Sequence, residues 1–471
     1  MTSRILIVGG GISGLATAYF LQKEANAAGI SLQYTVVEKE SHLGGKVVSK
    51  RSDGFVIEGG PDAFLTQKPW ALALAKELGL ESELIGTNDH RRNVYVLHKG
   101  KLCLLPAGWR LTVPTQWGAF LKTPLLSPWG KLRILFDLII PPRLDQSDES
   151  LADFITRRMG REVLDKLAAP IMAGIHIADP NRLSIQSTFT RYTDMERKYG
   201  SLIAGTRQQM KTAQTQDTNR DQPKLPMFMS FKGGVSTLIE ALTDHLTGQI
   251  ETGKSVQSLS RNGDDHYRAK LSDGAVAKFD AIVLTTPASL AAKLLAPTQP
   301  ELAQKLAAIR YISSATISLA YKKSDINHPL DGFGFVVPKT EPSRLLAGTW
   351  VSSKFDHRAP DDYVLIRVFV GGYANEHLVD LADEGLVSIV REELGTIMGI
   401  TAAPTEHYIY RWHKGTPQYD VGHLEHLAEI ERLTENASGN IYLTGSSYRG
   451  VGLPDCVHQA ELTAKRLIQD L

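Results

Sequence analysis

The chain has 471 residues, 42% of them hydrophobic, with 52 Lys and Arg against 51 Asp and Glu and a formal charge of +1. That length exceeds what one core usually serves, so two or three domains are expected, and the balanced charge excludes a global field for nucleic acid. The two cysteines, Cys103 and Cys456, exclude a disulfide framework, fit a reducing compartment and, set so far apart, argue against a zinc site.

Residues 4–8 (RILIV) read as a short buried strand. Gly9, Gly10, Gly11, Ile12, Ser13 and Gly14 then form G-x-G-x-x-G, and residues 15–25 follow with a helical apolar pattern. This is the strand, turn and helix context of a dinucleotide fingerprint. The first glycine permits the turn, the second lets backbone approach a pyrophosphate, and the third lets helix and strand pack. A second strand at 33–37 ends in Glu38, whose carboxylate suits both hydroxyls of an adenosine ribose and repels a 2'-phosphate. To this point the cofactor is either NAD or FAD. The chain starts with strand and glycine turn instead of a basic, then apolar leader, so export is not expected and a cytoplasmic location is.

After Glu38 come Lys39 and a second glycine turn, Gly44-Gly45-Lys46, then Phe55-Val56-Ile57-Glu58-Gly59-Gly60-Pro61-Asp62-Ala63. A cation and more backbone N–H groups near the same diphosphate are not needed by an NAD site. The stretch 109–140 holds Trp109, Trp117, Phe120, Trp129 and Phe136 but is interrupted by Pro114, Lys122, Pro124, Pro128, Lys131 and Arg133. It can rest on a bilayer, cap a pocket or meet a partner, but it cannot cross a membrane, and no run reaches 18 uninterrupted apolar residues. Helices are expected at 132–140, 151–159 and 162–169, with a stop at Ala173-Gly174 before Ile175 and His176. Residues 211–224 (KTAQTQDTNRDQPK) are almost wholly polar and read as a mobile loop.

Beyond it the pattern turns to strands. Residues 227–231 lead through Gly233-Gly234 into a helix at 235–246, and a strand is expected at 255–259. Asp273-Gly274 marks a hairpin before a buried strand at 279–284. Strands at 316–321, 334–337, 345–350 and 363–370 suggest an antiparallel sheet in a second domain. A last strand at 440–444 meets a turn, Gly445-Ser446-Ser447-Tyr448-Arg449-Gly450-Val451-Gly452-Leu453-Pro454-Asp455, opening a helix at 456–471. Such a turn presents N–H groups to an acceptor, and a flavin's pyrimidine edge is a natural one. No Ser-His-Asp set, paired carboxylates or metal-ligand spacing stands out, so no catalytic side chain and no metal are expected.

The order of these motifs resembles the FAD-dependent amine oxidase superfamily. The pieces VEKESHLGGK, EGGPDAFLTQK, IMAGIHIADP, RWHKGTPQY and GVGLPDC are similar to bacterial porphyrinogen oxidases of the haem pathway, in particular the soluble type of Gram-positive bacteria. The resemblance runs over nearly the whole chain. It implies an α/β (α+β) flavoprotein with non-covalent FAD, since Gly445-Ser446-Ser447-Tyr448 has no cysteine where related oxidases attach the flavin. It implies a discontinuous Rossmann-like FAD domain (1–75, 226–295 and 412–471), an antiparallel-sheet substrate domain (76–100, 190–225 and 296–411) and a small helical domain (101–189).

Carried onto this chain, the resemblance gives Gly9 to Gly14, Glu38 and Lys39 to the ADP part. It places Gly45, Lys46 and Gly60, Pro61, Asp62 and Ala63 along the diphosphate and flavin, Val256 at the adenine, and Trp412 with Val451, Gly452 and Leu453 at the isoalloxazine. Lys68 matches a lysine beside a substrate carboxylate, its alternative being a solvated surface cation. Ile175 and His176 match a pocket-lining stretch, with His176 also readable as a packed histidine and Trp412 as a core indole. The implied reaction oxidises coproporphyrinogen III or protoporphyrinogen IX with molecular oxygen. An amine oxidase and a non-catalytic flavin-binding protein are the alternatives, and a monomer or homodimer, with a peripheral membrane or haem-pathway enzyme contact, stays open.

Overall fold

In the strand Ser3–Val8 the run Ile5 to Val8 is wholly buried, as a strand covered on both faces requires. The computed structural model describes residues 2–110, 113–143, 145, 147–216, 225–261, 266–437 and 440–471. It divides into two units, one of Met1–Gly86, Pro226–Arg310 and Leu424–Leu471, the other of Thr87–Leu225 and Tyr311–His423.

The first unit is built on a five-stranded parallel sheet in the order Gln249–Glu251, Leu32–Val37, Ser3–Val8, Ala281–Leu284, Asn440–Leu443. Helix Ile12–Ala28 connects the first two strands of the chain and stops at Gly29, whose φ of 69° is the left-handed conformation common just past a helix end. The C-terminal helix Leu453–Asp470 turns Leu453, Val457, Ala460, Ala464 and Leu467 inward, a three-to-four residue spacing that matches one helical face. These side chains share a core with Ile5, Ile7, Leu15 and Leu21. The expected strand at 279–284 is two, Val276–Phe279 and Ala281–Leu284, divided at Asp280. The Asp273-Gly274 hairpin forms between Tyr267–Leu271 and Val276–Phe279, with Gly274 at φ 87°.

The second unit holds a seven-stranded sheet in the order Glu406–Pro417, Tyr311–Lys322, Tyr363–Gly371, Leu345–Trp350, Gly332–Val336, Asn93–His98, Lys101–Leu104. Neighbours pair antiparallel except Gly332–Val336 with Asn93–His98, which run parallel. Trp350, Ile366, Val368, Val390 and Leu394 fill its core. A separate core gathers Phe154, Ile155, Leu167, Met172 and Ile203 from helical segments. At its edge Arg158 and Asp137, both fully buried, form an ion pair with contacts down to 2.6 Å.

Two helical expectations change. The stretch expected as a helix at 162–169 is a wide i→i+5 (π) helix, Leu164–Ala173, with Pro170 inside it. Proline has no N–H for the ordinary i→i−4 bond, and the wider turn absorbs that loss. The polar segment from 211 begins as helix, because Leu202–Gln216 is continuous; residues 217–224 lie outside the described residues. Between 117 and 140, Phe120, Leu125, Leu126 and Ile134 are buried while Leu121, Trp129, Leu138 and Ile139 face outward. Among the described residues no helix is long and apolar enough to cross a membrane.

Candidate functional site

The two glycine turns near the N-terminus lock onto each other. Gly9 leaves the first strand at φ 111°, and its N–H donates to the Val37 carbonyl at 2.9 Å. Thr285 Oγ1 donates to the Val8 and Gly9 carbonyls at 3.0 and 3.1 Å, fixing the turn from the neighbouring strand end. A Cβ on Gly10 would stand 2.6 Å from Leu43 and 2.9 Å from the Cβ of Glu38. The Gly44 N–H donates to the Gly10 carbonyl at 2.8 Å, Gly44 and Gly45 take φ of 102° and 60°, and a Cβ on Gly45 would lie 3.2 Å from the Gly11 Cα. Gly11 differs, for nothing stands nearer than 3.9 Å to the place its Cβ would take. The place of a side chain at Gly11 is therefore open, with only backbone of Gly44 and Gly45 at its edge.

Glu38 sits beside this turn. It is 8% exposed and accepts from the Gly10 N–H at 2.7 Å and the Glu40 N–H at 2.9 Å, one on each carboxylate oxygen. Each oxygen keeps a second lone-pair site, so both can still accept from a pair of ribose hydroxyls. Lys39 meets Glu40 in an exposed contact of 3.1 Å. Lys46 is exposed, and the protein packed about it shifts its ammonium's pKa downward through partial desolvation. An ammonium in that setting gains most from a bound polyanion.

Gly60 packs on the same segment, since its Cβ would fall 1.8 Å from the Lys46 carbonyl oxygen. The buried Glu58 carboxylate ties this turn to helix Ser236–His245, accepting from Ser49 Oγ at 2.6 Å and the Val235 N–H at 2.9 Å. Ser230 Oγ donates to the Asp62 carbonyl at 2.7 Å, holding the far end of Gly60-Pro61-Asp62-Ala63. Val256 starts the strand Val256–Arg261 and is buried against its partner Leu271.

The C-terminal turn has Gly445 at φ 119° and Gly450 at φ 110°, and Gly452 precedes helix Leu453–Asp470 with Pro454 in its first turn. Val451 is half-buried and Leu453 is in the core. Cys456, directly after the turn, is buried and hydrogen-bonded to Ser13; burial pushes its thiol pKa up to about 11. Lys68 does not point free into solvent. Its ammonium lies 2.6 and 2.7 Å from the two carboxylate oxygens of Asp455.

In the second unit, Trp412 lies on Glu406–Pro417, opposite Ser314, and stacks on Tyr410 with ring planes 11° apart. Ile175, at the end of the Leu164–Ala173 segment, is 61% exposed. His176 is 7% exposed and packs edge-on to Phe189 and near Tyr419, while its carbonyl accepts from Gln418 Nε2 at 3.2 Å. No cluster of three metal-binding side chains occurs among the described residues. Residue types alone did not single out Thr285, Glu58 or Asp455. Asp455 stands within the C-terminal motif, but nothing in its neighbours points to a lysine 387 residues away.

The pattern of the flavin containing amine oxidoreductase family matches residues 12–468, and the chain belongs to that family. It is 34% identical to a coproporphyrinogen III oxidase of Bacillus subtilis over 460 residues, covering 97% of this chain and 96% of that protein. It is likewise 34% identical to a coproporphyrinogen III oxidase of Staphylococcus aureus, with 100% of both chains covered. An Exiguobacterium crystal structure, provisionally named a protoporphyrinogen oxidase, superposes with a TM-score of 0.88 at 32% identity over 100% of both chains. The family's cofactor suits what the first unit offers: a turn with no side chain at Gly11, the Glu38 carboxylate beside it and the Lys46 ammonium on the second glycine turn.

Proposed function

We propose that the protein oxidises a porphyrinogen to the aromatic porphyrin in haem biosynthesis, with coproporphyrinogen III as the preferred substrate and protoporphyrinogen IX as a second. The observation that carries this reading is end-to-end similarity to the two coproporphyrinogen III oxidases, joined to a glycine turn beside Glu38. When bound, FAD would supply a hydride acceptor for the macrocycle and a route for each electron pair to oxygen, giving hydrogen peroxide.

The chain's own residues bind, orient and exclude water. Glu38 accepts from the adenosine ribose, and Val256 meets the adenine through its main chain. Gly9 to Gly14, Gly45 and Lys46 face the diphosphate, with Lys39 beside the ADP half. Gly60 to Ala63, Trp412 and Val451 to Leu453 border the isoalloxazine. Lys68 meets a substrate carboxylate, and the outward side chain of Ile175 lies against the apolar face of the macrocycle. His176, held among aromatic rings, shapes the pocket without moving a proton, because the pyrrole nitrogens release their own. In this division 1–75, 226–295 and 412–471 serve the cofactor, 76–100, 190–225 and 296–411 the substrate, and 101–189 form the helical part. The enzyme acts in the cytoplasm.

Anaerobic mixing of the yellow protein with coproporphyrinogen III, and separately with protoporphyrinogen IX, tests this. Bleaching of the flavin followed by porphyrin fluorescence on admitting air is expected, faster with coproporphyrinogen III. A flavin that stays oxidised with both but bleaches with amines overturns it.

A further inference from the structure

The proposed function gives Lys68 to a substrate carboxylate, and the structure shows that this lysine already has an anionic partner. Its ammonium reaches both oxygens of Asp455, at 2.6 and 2.7 Å, across the first turn of helix Leu453–Asp470. The two ends of the pair differ in freedom. The Lys68 side chain is 44% exposed, whereas that of Asp455 is 14% exposed. The carboxylate is also boxed in by the glycine turn: a Cβ on Gly450 would stand 2.6 Å from Asp455 Cγ, and one on Gly452 would stand 2.9 Å from Oδ2. Asp455 is thus the fixed member and Lys68 the mobile one.

We propose that Asp455 is a positioning residue that sets how tightly the site holds an anionic substrate, by keeping Lys68 oriented and partly neutralised. This rests on the proposed function and adds to it the control of one contact. An ammonium has three donors. Two address Asp455, and the third is left for an incoming carboxylate. That carboxylate meets a cation whose charge is already offset by Asp455. The attraction is that of a dipole more than of a full charge, which holds a polycarboxylate loosely enough for the equally charged product to leave. Lysine suits this sharing, as a compact point charge on a flexible stem that swings between two acceptors.

The test uses the flavin-loaded enzyme. Asp455→Asn keeps the shape and removes the charge. It is expected to lower KM for coproporphyrinogen III three- to tenfold and to lower the Kd of coproporphyrin III, read by fluorescence quenching, by a similar factor. In a Lys68→Met background the same change is expected to shift neither value by more than twofold, because Asp455 acts through the lysine. Asp455→Glu, which restores the charge, is expected to bring KM back towards the wild-type value. An unchanged KM in Asp455→Asn, or an equal shift with and without Lys68, overturns the proposal. If Asp455→Asn does not accumulate as a yellow protein, Asp455→Ser takes its place, with the same expected fall in KM in the Lys68 protein and none beyond twofold in the Lys68→Met protein; any other result overturns the proposal. A wild-type protein inactive on both porphyrinogens sinks the proposed function instead, so the two failures are distinguishable.

Discussion

The carbonyl oxygen of Gly9 lies where a side chain of residue 14 would begin, since a Cβ on Gly14 would stand 1.9 Å from it. Gly14 is therefore a packing requirement between strand and helix, whereas Gly11, with nothing nearer than 3.9 Å, is a requirement of whatever lies against the turn. Gly11 has φ −74° and ψ 179°, which any residue adopts. Gly14→Ala is expected to destabilise the cofactor-free protein by at least about 2 kcal/mol, the scale of forced overpacking. Gly11→Ala is expected to leave the melting temperature of the cofactor-free protein nearly unchanged and to weaken FAD binding at least tenfold. Thermal melts of the stripped protein with flavin titrations separate the two.

Glu38 serves the fold before it serves a ligand, because both of its oxygens accept backbone N–H groups. Glu38→Gln turns one acceptor into a donor facing a donor. A loss of about 1–3 kcal/mol is expected for the cofactor-free protein, the cost of a buried polar group left without its partner. FAD affinity is expected to fall further than stability, checked by isothermal titration beside denaturant unfolding.

The Arg158–Asp137 pair leaves no part of either side chain in water. Asp137 also accepts from Ser201 Oγ at 2.6 Å and the Ile203 N–H at 2.9 Å, and Arg158 donates to the Asp137, Ile140 and Gly200 carbonyls. Arg158→Met strands a buried carboxylate and several carbonyls. A destabilisation of about 3–5 kcal/mol is expected, read as a lower denaturant midpoint.

Cys456 links stability to alkaline pH. Its folded pKa is raised by burial from the ordinary value of 9.0 to about 11, so the folded state holds the thiol proton more tightly than the unfolded chain. The associated stability is present in full below pH 9 and is lost as pH rises towards 11. That difference corresponds to about 2–3 kcal/mol. Cys456→Ser removes this titration, so its stability is expected to decline less than that of the wild type over this window, seen in urea unfolding at matched pH values.

Much of the first unit was legible in residue order because its signals are local. Strand 4–8, the glycine turn, the following helix and the terminal strand, turn and helix each announce themselves within a few residues. In the second unit, four strands showed as apolar runs, but Glu406–Pro417 did not, because Tyr408, Tyr410 and Trp412 alternate with His407, Arg411 and His413 and most of the strand is only partly buried. The parallel pairing of Gly332–Val336 with Asn93–His98 is non-local and leaves no mark in either segment. Helix Leu202–Gln216 was hidden by composition: its last turns are polar, yet Gln, Lys and Ala are strong helix formers. The Lys68–Asp455 contact was illegible for the same reason as the parallel pair, as distance along the chain carries no trace of proximity.

The five-stranded sheet also fixes an order of events during synthesis. Its strands leave the ribosome in three instalments, with Ser3–Val8 and Leu32–Val37 first, Gln249–Glu251 and Ala281–Leu284 much later, and Asn440–Leu443 near the end. Until the last instalment arrives, the edge of Ala281–Leu284 has no mate and helix Leu453–Asp470 cannot cover its side of the core. The nascent chain thus carries a half-finished parallel sheet for most of its translation, and a truncation before Asn440 leaves the edge of Ala281–Leu284 bare.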